Sequence, residues 1–293
     1  MTIIQRVLQS VKKNHKGNEI KKEIVFKRLG RAGKVSVFTS GKGGTGKSSL
    51  ASAIAGFLSL AGQKVLLIDT DTGLQNLSFM LGVDSEVFYD LYDVLERGIP
   101  WEKSVVAIPG FKSFYFLPSD QIRDKQSIRK DAFEFFLLKA VRYFDHIIID
   151  SPSGMEYGFN FAVSSVDTAF VVVVPETPSI MDGAQILRLL EERHISSRLI
   201  VNKRVENLER VNLSPTSNEI EHMLGKPVLA SIPMDTIIMA CNHKGIPIAL
   251  WDKEGEAPNA IRSFVQKFWL AHSNDNRIDT AKANKNNVQN VKK

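Results

Sequence analysis

Short apolar runs alternate with longer amphipathic segments along most of this chain. The runs are of strand length, are rich in β-branched and aromatic residues, and predict seven strands: 34–39, 64–68, 113–117, 146–149, 169–174, 198–201 and 228–232. The segments between them carry apolar residues three and four positions apart and predict helices at 47–61, 131–143, 179–193, 217–224 and 258–270. This alternation predicts an α/β fold with a doubly wound, mainly parallel sheet of about seven strands and helices on both faces.

Length and composition indicate one folded domain with an arm at each end. The chain has 293 residues, of which 43% are hydrophobic, which is enough for a substantial core. We expect a basic extension with a short amphipathic helix at 1–33, a folded domain at 34–272, and a polar, disordered tail at 273–293. The apolar runs are far shorter than the roughly 20 residues of a membrane-spanning helix, and no signal peptide is recognisable. Cys241 is the single cysteine, which favours a reducing compartment, the cytoplasm.

The net charge of +6 is unevenly distributed. Residues 1–34 hold ten Lys or Arg against two Glu, residues 267–293 hold six against two Asp, and the stretch between them is therefore acidic, at −6. A protein that binds nucleic acid through its folded body more often carries the positive excess on that body. The pattern indicates basic arms, which are either solvated or in contact with an anionic partner such as membrane lipid or nucleic acid.

A glycine-rich turn lies between the first predicted strand and the first predicted helix. Its residues are Gly41, Lys42, Gly43, Gly44, Thr45, Gly46, Lys47, Ser48 and Ser49. Between a strand and a helix, this pattern predicts a phosphate-binding loop whose backbone N–H groups point at phosphate oxygens, with help from the helix N-terminus. We expect Lys47 to bridge the β- and γ-phosphates of ATP, Ser48 to ligate Mg²⁺, and Ser49 to reach the α-phosphate.

Acidic residues follow two of the predicted strands. Asp69 and Asp71 come after strand 64–68, and Asp150 comes after strand 146–149. The carboxyl ends of parallel strands meet at one edge of a sheet, so these side chains should lie beside the phosphate loop. Carboxylates placed so close need a cation, and hard oxygen ligands suit Mg²⁺. We therefore predict a metal site that involves Ser48, Asp69 and Asp150.

These residues resemble a known family. Lys42, just inside the glycine loop, is similar to the second lysine of the deviant Walker A motif that marks the MinD and ParA ATPases. Further matches to the switches and adenine-side loops of that family are 69–77, 150–154, Asn202, Pro233 and Asp235. The resemblance covers about 34–270, and segments 117–125 and 151–158 favour the MinD branch.

The resemblance implies an ATP hydrolase that closes around MgATP as a homodimer. Lys42 would cross the dimer interface to the phosphates of the facing subunit, and Asp71 would orient the attacking water. Together with Lys47, these are the expected catalytic residues. Catalytic cations supplied in trans to other P-loop enzymes raise the rate roughly 10³- to 10⁵-fold, so hydrolysis should depend on dimerisation.

In such an ATPase, hydrolysis sets how long the ATP-bound dimer lasts. The leading hypothesis is a MinD-like spatial regulator that places a division site or polar machinery and is released by hydrolysis. A flagellar-number ATPase of the same branch is an alternative, although its usual Asp-Gln-Ala signature is not found in residues 1–33. Another is a ParA-like partition ATPase that binds DNA non-specifically, which the acidic body disfavours. Each hypothesis requires a protein activator or cargo that the sequence does not name.

An apolar stripe lies on one helical face of the extension. It consists of Ile3, Ile4, Val7, Leu8 and Val11. With basic residues nearby, residues 3–13 fit an interfacial helix on anionic lipid and, equally, a helix that docks on a partner protein; a disordered arm is the third alternative. The expected location is the cytoplasm, either free or peripheral at the inner face of the cell membrane. The stripe with Phe264 and Trp269 in the last predicted helix is interpreted as core.

Overall fold

The computed structural model describes residues 33–71, 76–119, 129–251 and 254–270. These residues form one eight-stranded sheet with β1 Lys34–Thr39, β2 Val65–Asp69, β3 Val106–Ala107, β4 Phe114–Leu117, β5 His146–Asp150, β6 Thr168–Val173, β7 Ser196–Arg204 and β8 Val228–Pro233. The strand order is β3-β4-β2-β5-β1-β6-β7-β8, and neighbouring strands are parallel except for the antiparallel pair of β3 and β4. The carboxyl ends of β1, β2 and β5 are therefore adjacent.

Helices cover both faces of this sheet. They are α1 Lys47–Leu60, α2 Asn76–Leu81, α3 Leu91–Leu95, α4 Lys130–Ala140, α5 Tyr157–Ala162, α6 Thr177–Glu192, α7 Glu206–Arg210, α8 Ser217–Leu224, α9 Thr236–His243 and α10 Glu256–Val265. A π-helical turn, Gln266–Leu270, continues α10. Single 3-10 turns lie at Asp84–Glu86, Trp101–Lys103 and Ile248–Leu250.

Strand β1 divides its side chains between two hydrophobic cores. Val35 and Val37 belong to the core that α4, α5 and α6 complete, whereas Phe38 belongs to the opposite core, completed by α1 and α10. A strand buried on both faces is apolar at nearly every position. This is why the central strands appear in the sequence as continuous apolar runs.

The predicted fold class is confirmed, and each of the seven predicted strands is present. The sequence pattern does not predict β3, because only Val106 and Ala107 pair with β4. It also predicts β7 too short, as 198–201. Helices α2, α3, α5 and α7 are likewise not predicted, since five or six residues are too few to show a clear apolar period, and α9 is not predicted either. The predicted helix 258–270 begins two residues earlier and changes to π geometry over its last turn.

The apolar stripe of the last helix lies in the core, which confirms its interpretation. Phe264 and Trp269 are only 6% and 2% exposed. Across the residues that the structure describes, no helix combines the length and the apolar character needed to cross a membrane. Residues 1–32, with the stripe at 3–11, and residues 271–293 lie outside the described part of the chain. Their predicted roles as extension and tail stay predictions.

Candidate functional site

The phosphate loop connects the end of β1 to the start of α1. Gly44 and Gly46 have left-handed backbones, with φ of 80° and 86°, which glycine adopts without strain. A Cβ on Gly46 would lie 2.4 Å from the side-chain amide nitrogen of Asn202. At this position glycine is needed both for the backbone conformation and for the close approach of β7.

Two side chains at the end of β7 hold the loop by its backbone. Asn202 Nδ2 donates a 2.8 Å hydrogen bond to the carbonyl oxygen of Thr45, and Lys203 Nζ donates a 2.7 Å hydrogen bond to that of Gly44. Because the C=O and N–H of a trans peptide point in opposite directions, these bonds also fix the directions of the N–H groups that follow. Lys203 itself has a left-handed φ of 56°, which is uncommon for a residue other than glycine.

Lys47 opens α1, and its side chain points into a group of acids. Its Nζ lies 3.4 Å from Ser48 Oγ, 3.8 Å from Asp71 Oδ2 and 4.0 Å from Asp150 Oδ1. The lysine is buried. A buried ammonium at a helix N-terminus is a favourable place for a phosphate group.

Asp69 and Asp150 are paired in register at the ends of β2 and β5. Burial, together with the charge of Asp150, raises the pKa of Asp69 well above its ordinary value. Burial also raises the pKa of Asp150, to about 6, although the Lys47 ammonium opposes the shift. Both carboxylates would ionise more readily next to an added cation.

One buried atom of this pair has a charged neighbour, Lys47, but no hydrogen-bond partner. Asp150 Oδ1 makes no hydrogen bond within the described residues, although buried polar atoms normally have a partner. Those residues also include no group of three His, Cys, Asp or Glu that could bind a metal by itself. Mg²⁺ fits such a place, because it usually keeps several waters and is held through one or two carboxylates and the substrate's phosphates. Ser48, Asp69 and Asp150 thus fit the predicted metal site.

The backbone of Asp71 is fixed on two sides. Its N–H donates a 2.8 Å hydrogen bond to Asp69 Oδ1, and its carbonyl oxygen accepts one of 3.0 Å from Ser119 Oγ. These bonds hold the carboxylate of Asp71 at the wall of the cleft.

Lys42 points away from the acids of the cleft. Its Nζ lies 2.7 Å from Glu176 Oε2, just before α6 begins, and its side chain is 35% exposed. The preceding residue, Gly41, packs against α6 so closely that a Cβ there would lie 2.3 Å from Asp182 Cβ. The first part of the loop is therefore attached to α6, and Lys42 lies at the surface.

The cleft beside the loop has a volume of about 830 Å³. Its far wall, formed by the ends of β7 and β8 and by α9, contributes Asn202, Lys203, Pro233, Met234, Asp235, Ile238, Met239 and Asn242. Asn242 Nδ2 donates a 2.9 Å hydrogen bond to Ser49 Oγ, which connects α9 to α1. Asp235 caps α9, because its Oδ1 accepts a 2.9 Å hydrogen bond from the Ile237 N–H. Apolar side chains form much of this wall, which suits contact with the flat face of a nucleotide base.

The structure brings most of the predicted site residues to this cleft. Those that line it are Gly43, Gly44, Gly46, Lys47, Ser48, Ser49, Asp69, Asp71, Asp150, Asn202, Pro233 and Asp235, whereas Gly41, Lys42 and Thr45 do not. Sequence reasoning misses Glu176, Lys203 and Asn242. Their partners in the loop and in α1 lie 134, 159 and 193 positions away, so no local pattern could have identified them.

Comparison with known proteins identifies relatives over most of the chain. A protein-family model described as "ParA: NUBPL iron-transfer P-loop NTPase" matches residues 31–269. The septum site-determining protein MinD of Thermotoga maritima is 34% identical over 221 residues, which cover 74% of this chain and 82% of that protein. MinD of Bacillus subtilis is 33% identical over 238 residues, which cover 80% and 88%.

Solved structures show the same similarity. MinD in the MinC:MinD cell division protein complex of Aquifex aeolicus matches with a TM-score of 0.74 and 33% identity, over 80% of this chain and 94% of that chain. MinD of Pyrococcus horikoshii, complexed with Mg-ADP, matches with a TM-score of 0.72 and 26% identity, over 81% and 97%.

Proposed function

The chain belongs to the ParA family of P-loop NTPases, among its MinD members, and we propose that it is a spatial regulator released by ATP hydrolysis. It is a MinD-like ATPase that uses ATP and Mg²⁺. In the proposed cycle, ATP favours a homodimer that holds a partner or a surface, and hydrolysis separates the dimer. The biological result of such a cycle is that the partner is placed at a defined position in the cell.

The outward position of Lys42 is the observation that carries this proposal. Its ammonium is paired with Glu176 at the surface and does not reach the acids of its own cleft. An exposed ion pair contributes little stability, so Lys42 can exchange this partner at small cost. The family resemblance implies that the new partner is a phosphate group in the facing subunit. A cation supplied in that way would make hydrolysis depend on dimerisation.

The remaining chemistry comes from one subunit. Lys47 binds the β- and γ-phosphates, and Asp71 accepts a hydrogen bond from the attacking water and orients it towards the γ-phosphate. Ser48, Asp69 and Asp150 would hold Mg²⁺, which would supply positive charge to the phosphate oxygens. A bound cation would lower the raised pKa of Asp150, about 6, since a nearby positive charge favours the ionised carboxylate.

A protein partner of the dimer is supported by the relatives. MinD of Aquifex aeolicus is found in a cell division complex with MinC, and the Thermotoga and Bacillus relatives are septum site-determining proteins. We infer that this chain likewise binds a protein activator or cargo, and that placement of the division site or of a comparable polar machine is its task.

Attachment to the inner face of the cell membrane is part of the same proposal. Its support is the stripe of residues 3–13, which combines aliphatic side chains with neighbouring basic ones. The protein would then alternate between the cytoplasm and the membrane surface as the dimer forms and separates.

Iron transfer, which the description of the family model includes, does not fit these residues. Proteins bind iron clusters mainly through several cysteine thiolates. Cys241 is the single cysteine of the sequence, it is fully buried, and burial raises the pKa of its thiol. ATP-driven association therefore explains this chain better.

Light scattering and imaging together test the proposal. We expect the mass of the purified protein to double with ATP but not with ADP, and a fluorescent fusion to collect at the membrane or the pole. Lys47→Ala is the control and should stay monomeric and diffuse. A nucleoid pattern would favour the DNA-binding alternative, and a dimer that is equally stable with ADP would contradict release by hydrolysis.

A further inference from the structure

A second cavity, with a volume of about 620 Å³, lies between the segment around α3 and the helix α4. We call it the α3–α4 groove; it is formed by residues 94–102 and 132–143. Trp101 packs on Tyr143 with their ring centroids 5.2 Å apart. Phe135 and Tyr143 are nevertheless 42% and 52% exposed. Removal of such aromatic surface from water by a partner lowers the free energy.

The extension joins the folded part at the rim of this groove. The N–H of Gly33 donates a 2.9 Å hydrogen bond to the carbonyl oxygen of Val141. A Cβ on Gly33 would meet the carbonyl oxygen of Phe144 at 2.0 Å, so the chain lies directly on this turn. Tyr143, in the same turn, lines the groove. The phosphate loop lies at the other end of β1 from Gly33, and no described residue that lines the groove also lines the ATP cleft.

The sequence outside the described residues offers one good match to the groove. Residues 3–11 place five bulky aliphatic side chains on one helical face. Segment 120–128 contains only Ile122 and Ile128, and segment 271–293 contains only Ile278, Val288 and Val291, far apart from each other. Residues 12–32 also carry apolar side chains, but on a helix Ile20 and Ile24 would lie opposite Phe26 and Leu29, so they form no single apolar face. Segments 72–75 and 252–253 are too short to fill a cavity of this size.

We propose that the stripe of residues 3–11 docks into the α3–α4 groove of its own chain and covers Phe135 and Tyr143. The residues between Val11 and Gly33 can span any distance on a domain of this size, at up to about 3.3 Å each. Arg6, Lys12 and Lys13 lie off the apolar face, so they stay in water when the stripe is docked.

Because the stripe is covalently joined to the domain that carries the groove, weak contacts are sufficient to keep it docked. A covalent tether can give an effective concentration on the order of 1 mM, so a stripe with a Kd of about 0.1 mM would be docked roughly nine-tenths of the time. Docking needs no nucleotide, because the groove and the ATP cleft share no lining residue in the described part of the chain. It competes with the membrane contact proposed above, and an ATP-bound dimer, which offers two stripes to one surface, would overcome this competition more easily than a monomer.

Hydrogen exchange of the full chain without nucleotide or lipid tests the proposal. Wild type is compared with Leu8→Asp, which puts a charge on the stripe, and with Gln9→Asp, which puts the same charge on the opposite face. We expect the amides of 98–103 and of the second half of α4 to exchange about tenfold faster in Leu8→Asp than in wild type. Gln9→Asp should exchange as slowly as wild type.

Several outcomes would overturn docking in cis. Equal exchange in all three proteins means that the groove is open or is covered by another segment. Protection that rises with protein concentration means that a second copy supplies the stripe. ATP-dependent dimerisation is measured in the same samples, and its absence would refute the proposed function without affecting the exchange result.

Discussion

Lys42 Nζ lies 2.7 Å from Glu176 Oε2, a residue 134 positions away. Lys47, in the same loop, points the other way, with its Nζ 3.8 Å from Asp71 Oδ2. One short loop thus sends one ammonium into the cleft and one to the surface. The two lysines should therefore serve different steps of the ATPase cycle.

Replacement of each lysine should separate these steps. Lys47→Ala should abolish ATP binding, because it removes the buried cation at the phosphate site. Lys42→Ala should keep much of the ATP affinity and lose dimer-dependent hydrolysis by about 10³-fold or more. Calorimetry of ATP binding, with turnover measured on the same samples, distinguishes them. An equal loss of ATP affinity in both variants would contradict a cross-subunit role for Lys42.

Replacement of Asp71 should keep the protein dimeric in the presence of ATP. If its carboxylate orients the attacking water, Asp71→Ala binds MgATP and dimerises but hydrolyses ATP hardly at all. Light scattering with ATP should show a persistent dimer, while the wild type returns to monomer as ATP is consumed. A variant that remains monomeric and turns over ATP at the normal rate would refute this role.

Two glycines share a left-handed backbone conformation but differ in their surroundings. Substitution of each by alanine therefore distinguishes the effect of backbone strain from that of a steric clash. Gly46 and Gly62 have φ of 86° and 82°, but a Cβ meets Asn202 only at Gly46, and at Gly62 nothing lies within 4 Å. Gly62→Ala should lower the free energy of unfolding by about 1–2 kcal/mol and leave ATP affinity unchanged. Gly46→Ala should suffer the same strain and also lose ATP binding, because Asn202 must move. Denaturant unfolding and calorimetry measure the two effects, and normal ATP binding by Gly46→Ala would show that the loop tolerates the change.

The site could be predicted from the sequence where its parts are local. Lys47 and Ser48 directly follow a strand and a glycine turn, and Asp69 and Asp150 end apolar runs, so their meeting follows from the geometry of a parallel sheet. The support of the loop by Lys203 and Glu176 could not be predicted, since it depends on how β7 and α6 pack against a loop far away in sequence. Strand β3 could not be predicted either, because two residues are too few to show a period.

His146 should make stability sensitive to acid. It is buried at the start of β5, where burial and the charge of Lys34 lower its pKa to about 4. In the unfolded chain its pKa is about 6.5, so between pH 6.5 and 4 the unfolded state binds a proton that the folded state does not. Stability should therefore fall as the pH decreases through this window, by about 3 kcal/mol at most.

Unfolding by urea across this pH range, in wild type and in His146→Asn, isolates the contribution of the histidine. Asp69 and Asp150, whose pKa values are raised, titrate in both proteins, so their opposite effect cancels in the difference. We expect the difference in free energy of unfolding between the two proteins to change with pH. A constant difference would show that the buried imidazole does not titrate as described.

The stripe of residues 3–11 should bind membrane in the ATP-bound state. Burial of four or five aliphatic side chains, at about 25 cal/mol per Å², yields only a few kcal/mol before the helix is ordered. One stripe therefore binds weakly, but a dimer presents two to the same surface, and avidity can raise the affinity by roughly 10². Vesicles with anionic lipid should sediment the wild type with ATP but not with ADP.

Deletion of residues 1–14 should abolish this sedimentation and leave ATP binding intact, because the phosphate loop lies at the other end of β1. Leu8→Asp should have the same effect without shortening the chain, whereas Gln9→Asp, on the polar face, should reduce binding only slightly. Sedimentation of the shortened protein at the level of wild type would require another anchor. The last helix could provide it only by removing Phe264 and Trp269 from the core, where both are buried. If the wild type sediments in neither nucleotide state, lipid is not the ligand of the stripe, and a protein partner or the α3–α4 groove takes its place.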